Sequence, residues 1–182
     1  TGSGKTVMLA ELVRRALNRG EEVVVACHRN EILKQLVRSL EAHLGETVGV
    51  CCSWVKKTEA RRVVVAMIPT LVRRHQLKEQ LYGRTFFLDE AHHLGAQTYQ
   101  RLLYQLQPQR FCGATATPVS PTGEGLQRHG ITELVLGPEP SWLTEQGALC
   151  GYRLFGAEAE IRTQGLRTRA GDYDLKQLGD RA

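Results

Sequence analysis

The chain has 182 residues, 42% of them hydrophobic and 24% charged, with a formal net charge of +5. That length suits one domain with a sizeable core, and the composition is that of an ordinary globular chain. No apolar run reaches the ~20 residues of a membrane span, so no membrane partner is expected. The mild positive excess fits a nucleic-acid partner without requiring one.

Five cysteines, Cys27, Cys51, Cys52, Cys112 and Cys150, lack C-x-x-C spacing. An odd count without that spacing argues against a disulfide framework or a zinc site. Reduced thiols in an intracellular, cytoplasmic protein are the expectation.

Taken in chain order, residues 5–19 carry an apolar stripe (Met8, Leu9, Leu12, Val13, Ala16, Leu17) that predicts a helix ended by Gly20. Residues 22–26 read as a strand buried on both faces. Asn30 is expected to cap a helix running to about Leu44. Residues 47–51 and 62–67 read as strands. Pro69 then opens a helix predicted to reach about Leu81. Further strands are expected at 85–88, 110–114 and 131–136, with helices at 95–105 and 141–146, the last capped by Ser141. Residues 119–130 read as a Gly/Pro/Ser-rich surface loop. Strands alternating with helices predict an α/β fold, a mostly parallel sheet flanked by helices.

In such sheets, ligands lie beyond the carboxyl ends of the strands, which is where three chemical segments fall. Thr1-Gly2-Ser3-Gly4-Lys5-Thr6 is most of a phosphate-binding loop. Gly2 and Gly4 allow a tight turn that brings backbone N–H groups, Ser3 included, onto phosphate oxygens. Lys5 would reach the terminal phosphates of ATP, and the Thr6 hydroxyl would hold Mg2+. Asp89-Glu90-Ala91-His92-His93 follows an apolar strand. Asp89 suits the Mg2+ shell, and Glu90 suits orienting or deprotonating the attacking water. Adjacent histidines on a turn should diverge, so coupling is expected of His92 and His93 rather than metal ligation. Gly113-Ala114-Thr115-Ala116-Thr117-Pro118 is a Thr-rich turn after a strand. Trp54, Trp142 and the sparse tyrosines form no interleaved aromatic and basic stripe, so backbone grip rather than base stacking is expected.

These segments, with residues 26–31 plus Gln35 and residues 66–71, resemble in order the first motor domain of a superfamily 2 helicase or translocase of the DExH type. DNA-repair and phage-type members are the most similar. The resemblance covers roughly residues 1–150 and implies a RecA-like P-loop NTPase domain; Gly147 and Tyr152 resemble the approach to a second half. It implies that His28, Arg29, Pro69 and Thr70 touch a nucleic-acid backbone, DNA more than RNA, and that Thr115 and Thr117 couple that grip to the ATP site. It also implies a second RecA-like domain whose arginines complete the site, with residues 151–182 as an exit segment toward it. The strand that feeds the phosphate loop is expected to be lacking, leaving a place beside the acidic strand and a less stable sheet. A piece of this kind would bind ATP weakly and hydrolyse it negligibly alone. A P-loop ATPase of another class and a non-catalytic nucleotide-binding module remain alternatives.

Overall fold

The computed structural model describes residues 4–118, 123, 125–151 and 153, together with the backbone of two short strands at 168–169 and 172–173. Thr1, Gly2, Ser3 and Tyr152 lie outside the described residues. The chain divides into two compact units, Thr1–Leu149 and Cys150–Ala182. In the second, Thr168–Arg169 (β6) pairs antiparallel with Asp172–Tyr173 (β7).

The first unit is built on an all-parallel sheet. Its strands are β1 (Val23–Cys27), β2 (Gly49–Cys51), β3 (Val63–Met67), β4 (Thr85–Asp89) and β5 (Phe111–Ala114), in the order β2-β3-β1-β4-β5. The central strands read VVVAC and VVVAM and are buried at every position. A parallel strand covered on both faces needs such a run.

One face packs on α1 (Lys5–Asn18) and α2 (Asn30–Leu44), where Leu9, Val13, Leu33, Leu36 and Leu40 meet Val23, Val25, Val63, Val65 and Phe87. The other face carries α3 (Ile68–Leu71), α4 (His75–Gln80) and α5 (Gln97–Leu106). There Leu71, Leu77, Leu81, Leu102 and Leu106 cover Val24, Val64, Phe86 and Leu88. Burying one such side chain contributes about 1.5–3 kcal/mol. The exposed pairing of Glu11 with Arg14 and Arg15 on α1 is screened by water and contributes little. Apolar burial, not surface charge, holds α1 in place.

Several local expectations are corrected. Asn30 is the first helical residue of α2, and extended Arg29 (φ −119°, ψ 141°) precedes it without a side-chain cap. The helix expected from Pro69 to Leu81 breaks after α3. The amides of Arg73 and Arg74 bond to the carbonyls of Thr70 and Leu71, three residues back, and Arg74 then turns out at φ −96°, ψ 76°. Lys78 Nζ satisfies the Val72 carbonyl freed by the break (3.0 Å).

Gly95 ends a 3-10 helix (Ala91–Gly95), and α5 begins two residues later. Residues 131–136 form no strand among the described residues. Leu134, Val135 and Leu136 are exposed, since among the described residues no strand pairs with them to bury an alternating face. The short helix α6 (Pro140–Glu145) is preceded by Glu139, and Ser141 lies inside it rather than capping it.

The position expected to be empty beside the acidic strand is filled. β4 pairs with β1 on one side and β5 on the other, so a further parallel strand could join only at β2 or β5. Among the described residues no helix is long and apolar enough to cross a membrane.

Candidate nucleotide site and nucleic-acid edge

Because every strand of the sheet is parallel, the segments that follow them leave from one edge. Across that edge the order is Pro69-Thr70 after β3, His28-Arg29 after β1, Asp89-Glu90 at the end of β4, and Thr115-Thr117 after β5. The helix α1 opens beside the same edge through Gly4, whose φ of 74° and ψ of 15° place it in the left-handed region that glycine enters freely.

Lys5 and Glu90 meet there, Nζ to Oε1 at 3.9 Å, both about a quarter exposed. Glu90 stands at φ 55°, ψ 53°, where a non-glycine residue is uncommon. It precedes the 3-10 helix but makes no side-chain cap hydrogen bond. Its carboxylate is turned instead toward Lys5 and His92, so capping does not account for it.

His92 Nδ1 lies 3.3 Å from Glu90 Oε2 and 3.0 Å from Thr115 Oγ1. Thr115 Oγ1 donates its one proton to the Thr117 carbonyl (3.0 Å) and accepts the Thr117 amide (3.1 Å). An N–H at His92 Nδ1 would serve both, the Thr115 hydroxyl at hydrogen-bond distance and the Glu90 carboxylate as a charge contact, so this imidazole stands between the acidic box and the Thr-rich turn.

The contact between β5 and the acidic box is close. A Cβ on Gly113 would stand 2.5 Å from Ala91 Cβ, so only glycine lets these segments approach. Asp89 is half-buried, and burial, followed by the charge of Glu90, holds its carboxyl above the usual range, with Lys5 opposing. Such a carboxylate is stabilised by an arriving cation. Cys27 beneath it is fully buried, and burial followed by the Asp89 charge pushes its thiol up to about 12.

The histidines do not diverge as expected. The His92 and His93 rings lie 4.2 Å apart, and the His28 ring meets His93 edge-on at 5.0 Å. Tyr99, which sequence reasoning passed over, stands 6.2 Å beyond His93. No residue spacing signals this stack, because its members come from three segments. Arg29 Nε donates to His28 Nε2 (3.2 Å), which leaves the His28 hydrogen on a buried Nδ1 with no partner. Burial, then the Arg29 charge, holds His28 below its ordinary pKa. Burial, then the charges of His92 and His28, does the same for His93.

Of the residues expected to touch a nucleic-acid backbone, Arg29 and Pro69 are exposed while His28 and Thr70 are partly buried. His28 is thus turned inward onto the acidic box, and Arg29 is the outward member of the pair. Among the described residues no group of three or more His, Cys, Asp or Glu side chains could hold a metal ion alone. A cation here would need ligands from a bound nucleotide and water as well as from Asp89 and Thr6, as Mg2+ ordinarily does.

An all-parallel sheet presenting this lysine, acidic box and Thr-rich turn along one edge defines a helicase-type motor domain of superfamily 2, RecA-like in fold. The chain belongs to the family described as type III restriction enzyme, res subunit, which matches residues 1–120. It is 28% identical over 179 residues to a "51.5 kDa protein" of Lactococcus phage (isolate 7-9), covering 98% of this chain and 36% of that protein. The chain therefore spans about a third of the length of this relative.

In fold it is similar to the Pyrococcus furiosus Hef helicase domain, with a TM-score of 0.58 and 20% identity over 73% of this chain and 32% of that one. It is likewise similar to the Sulfolobus solfataricus SWI2/SNF2 ATPase core in complex with dsDNA. That match has a TM-score of 0.55 and 19% identity, over 65% of this chain and 26% of that one.

Proposed function

We propose that this domain binds ATP and, with a second RecA-like domain, hydrolyses it to drive movement along a nucleic-acid backbone. The observation that carries the reading is the contact chain from Lys5 through Glu90 and His92 to Thr115. In it Lys5 binds the terminal phosphates, and Gly4 with the start of α1 turns backbone N–H groups toward them. Gly2 and Ser3 would extend that cradle. Glu90 orients water and accepts its proton, and the Lys5 ammonium holds the carboxylate in place until phosphate displaces it. Thr6 and Asp89 would hold Mg2+, which when bound offsets phosphate charge.

His92 reports the state of Glu90 to Thr115 and Thr117. His28 and Arg29, with Pro69 and Thr70, supply the backbone grip, in which cations and helix N-termini fix position without reading bases. DNA is favoured over RNA because the Sulfolobus core to which the fold is similar was solved with dsDNA. Residues 151–182 would lead toward the second domain.

The test has two arms. A fluorescent ATP analogue with Mg2+ is titrated into the 182-residue chain, where Lys5→Ala should abolish saturable binding. DNA-stimulated ATPase activity is measured in a longer form that includes a second motor domain. There Lys5→Ala and Glu90→Gln should each lower turnover by about 100-fold or more, the scale of losing one group that acts on the transition state. Undiminished turnover in both variants refutes the proposal.

A further inference from the structure

The loop after β2 reaches the same sheet edge as the segments above, one strand beyond Pro69 and Thr70. Cys51 and Cys52 are fully buried at its start, and the half-buried Val55 packs on the core. The Thr58 hydroxyl donates to the Val50 carbonyl at 2.9 Å. The Arg74 guanidinium, at the break between α3 and α4, donates to the carbonyls of Val55 and Lys56, each at 2.6 Å.

Between these anchors the loop holds Trp54 half exposed (50%), with Lys34 Nζ of α2 at 5.4 Å from the ring. Lys56 and Lys57, two and three residues further along the loop, and Arg73, the neighbour of Arg74, are exposed. A loop pinned on both sides of a tryptophan that remains open to water has a rigid aromatic face and a surplus of cations. A surface cation–π contact recovers less free energy than burying the ring would, so the exposure is not accounted for by the fold.

We propose that Trp54 is a base-stacking platform for single-stranded nucleic acid, with Lys34, Lys56, Lys57 and Arg73 gripping the flanking phosphates. The inference rests on the nucleic-acid reading of this edge and extends it. It replaces backbone grip alone by backbone grip ending on one stacked base, although no aromatic and basic stripe is visible in the sequence. Charge complementarity selects the ligand, because Lys34 Nζ stands over the Trp54 ring and the same loop carries the exposed Lys56 and Lys57. Trp54 follows β2 and the acidic box ends β4, with three strand spacings, about 14 Å, between those strands.

The test uses the 182-residue chain carrying Trp142→Phe, so that Trp54 alone reports, and a fluorescein-labelled oligo(dT) of about 12 nucleotides, within the site sizes of such grooves, whose anisotropy gives the affinity of every variant. Binding should quench Trp54 emission. Trp54→Ala should weaken affinity about 10-fold, within the range for one stacked base, without altering the dependence on salt, whereas Trp54→Phe should retain most of it. Lys56→Ala with Lys57→Ala should reduce the slope of log K against log salt by about 0.7 for each phosphate no longer neutralised. If Arg29→Ala weakens binding while Trp54→Ala changes it less than about 2-fold, the platform is refuted and the backbone reading stands. If the chain fails to bind oligo(dT), or no variant changes its affinity, both readings fall. Circular dichroism of Trp54→Ala, with affinity retained in Trp54→Phe, separates loss of stacking from loss of fold.

Discussion

Glu90 combines a left-handed backbone with a carboxylate that two neighbours need. An L-residue pays about 1 kcal/mol there and glycine does not. Replacing Glu90 by Gly should therefore leave the chain about 1 kcal/mol more stable than replacing it by Ala, although both lose the carboxylate. Denaturant midpoints of the two variants check this; equal midpoints would mean that the conformation is unstrained.

Glu21 shows the opposite economy at the far end of the sheet. Its buried carboxylate accepts from Arg19 Nε and from the Thr85 hydroxyl, both at 2.6 Å, with Arg110 at 3.4 Å. Arg19, then Thr85, lower its pKa below the ordinary 4.5. The folded pKa is depressed, so its stabilisation is present above 4.5 and lost as pH falls through the folded value. Glu21→Gln should thus lower the thermal midpoint at pH 7, and the gap to the parent chain should close in acid below that range. A gap independent of pH would assign its role to packing alone.

Elements differ in how far their own residues define them. Arg74 joins two of them, and Arg74→Ala should cost about 1–2 kcal/mol through its two carbonyl bonds. Amide exchange should rise in residues 52–58 while α1 stays protected; uniform exchange would show that the loop does not depend on this guanidinium.

The strands VVVAC and VVVAM were legible because burial on both faces demands an unbroken apolar run. So were α1 and α2, from their apolar stripes and, for α1, from Gly20 at its end. The break after α3 was not, since it depends on Arg74 finding carbonyls some eighteen residues earlier in the chain. Residues 131–136 show the converse: I-T-E-L-V-L has strand character, but a strand also needs a neighbouring edge. In the candidate site, the types and spacing of Lys5, Glu90 and Thr115 were readable. The turn of His28 toward His93 and the approach of His92 to Thr115 were not, because both follow from contacts between separate segments.

Across the molecule, burial divides the cysteines. Cys27, Cys51 and Cys52 are sealed in the sheet, while Cys112 and Cys150 are exposed. A thiol reagent applied to the native chain should modify Cys112 and Cys150 promptly, and the other three only with denaturant. Mass spectrometry of the labelled peptides reads this, and early labelling of Cys27 would contradict a closed core.

The strand order also governs time. Val23 of the central strand pairs with Val63 on one side and Thr85 on the other, and both partners are synthesised after it. At ribosomal rates β1 waits on the order of 3–12 s for its second neighbour. Throughout that interval V-V-V-A-C is an apolar, uncharged, β-prone window of the kind that aggregates. Glu21 and Glu22 stand on one side of it and Arg29 on the other. Charges that flank such a window oppose aggregation in a nascent chain, and these three stand at the two ends of the strand that waits longest for its neighbours.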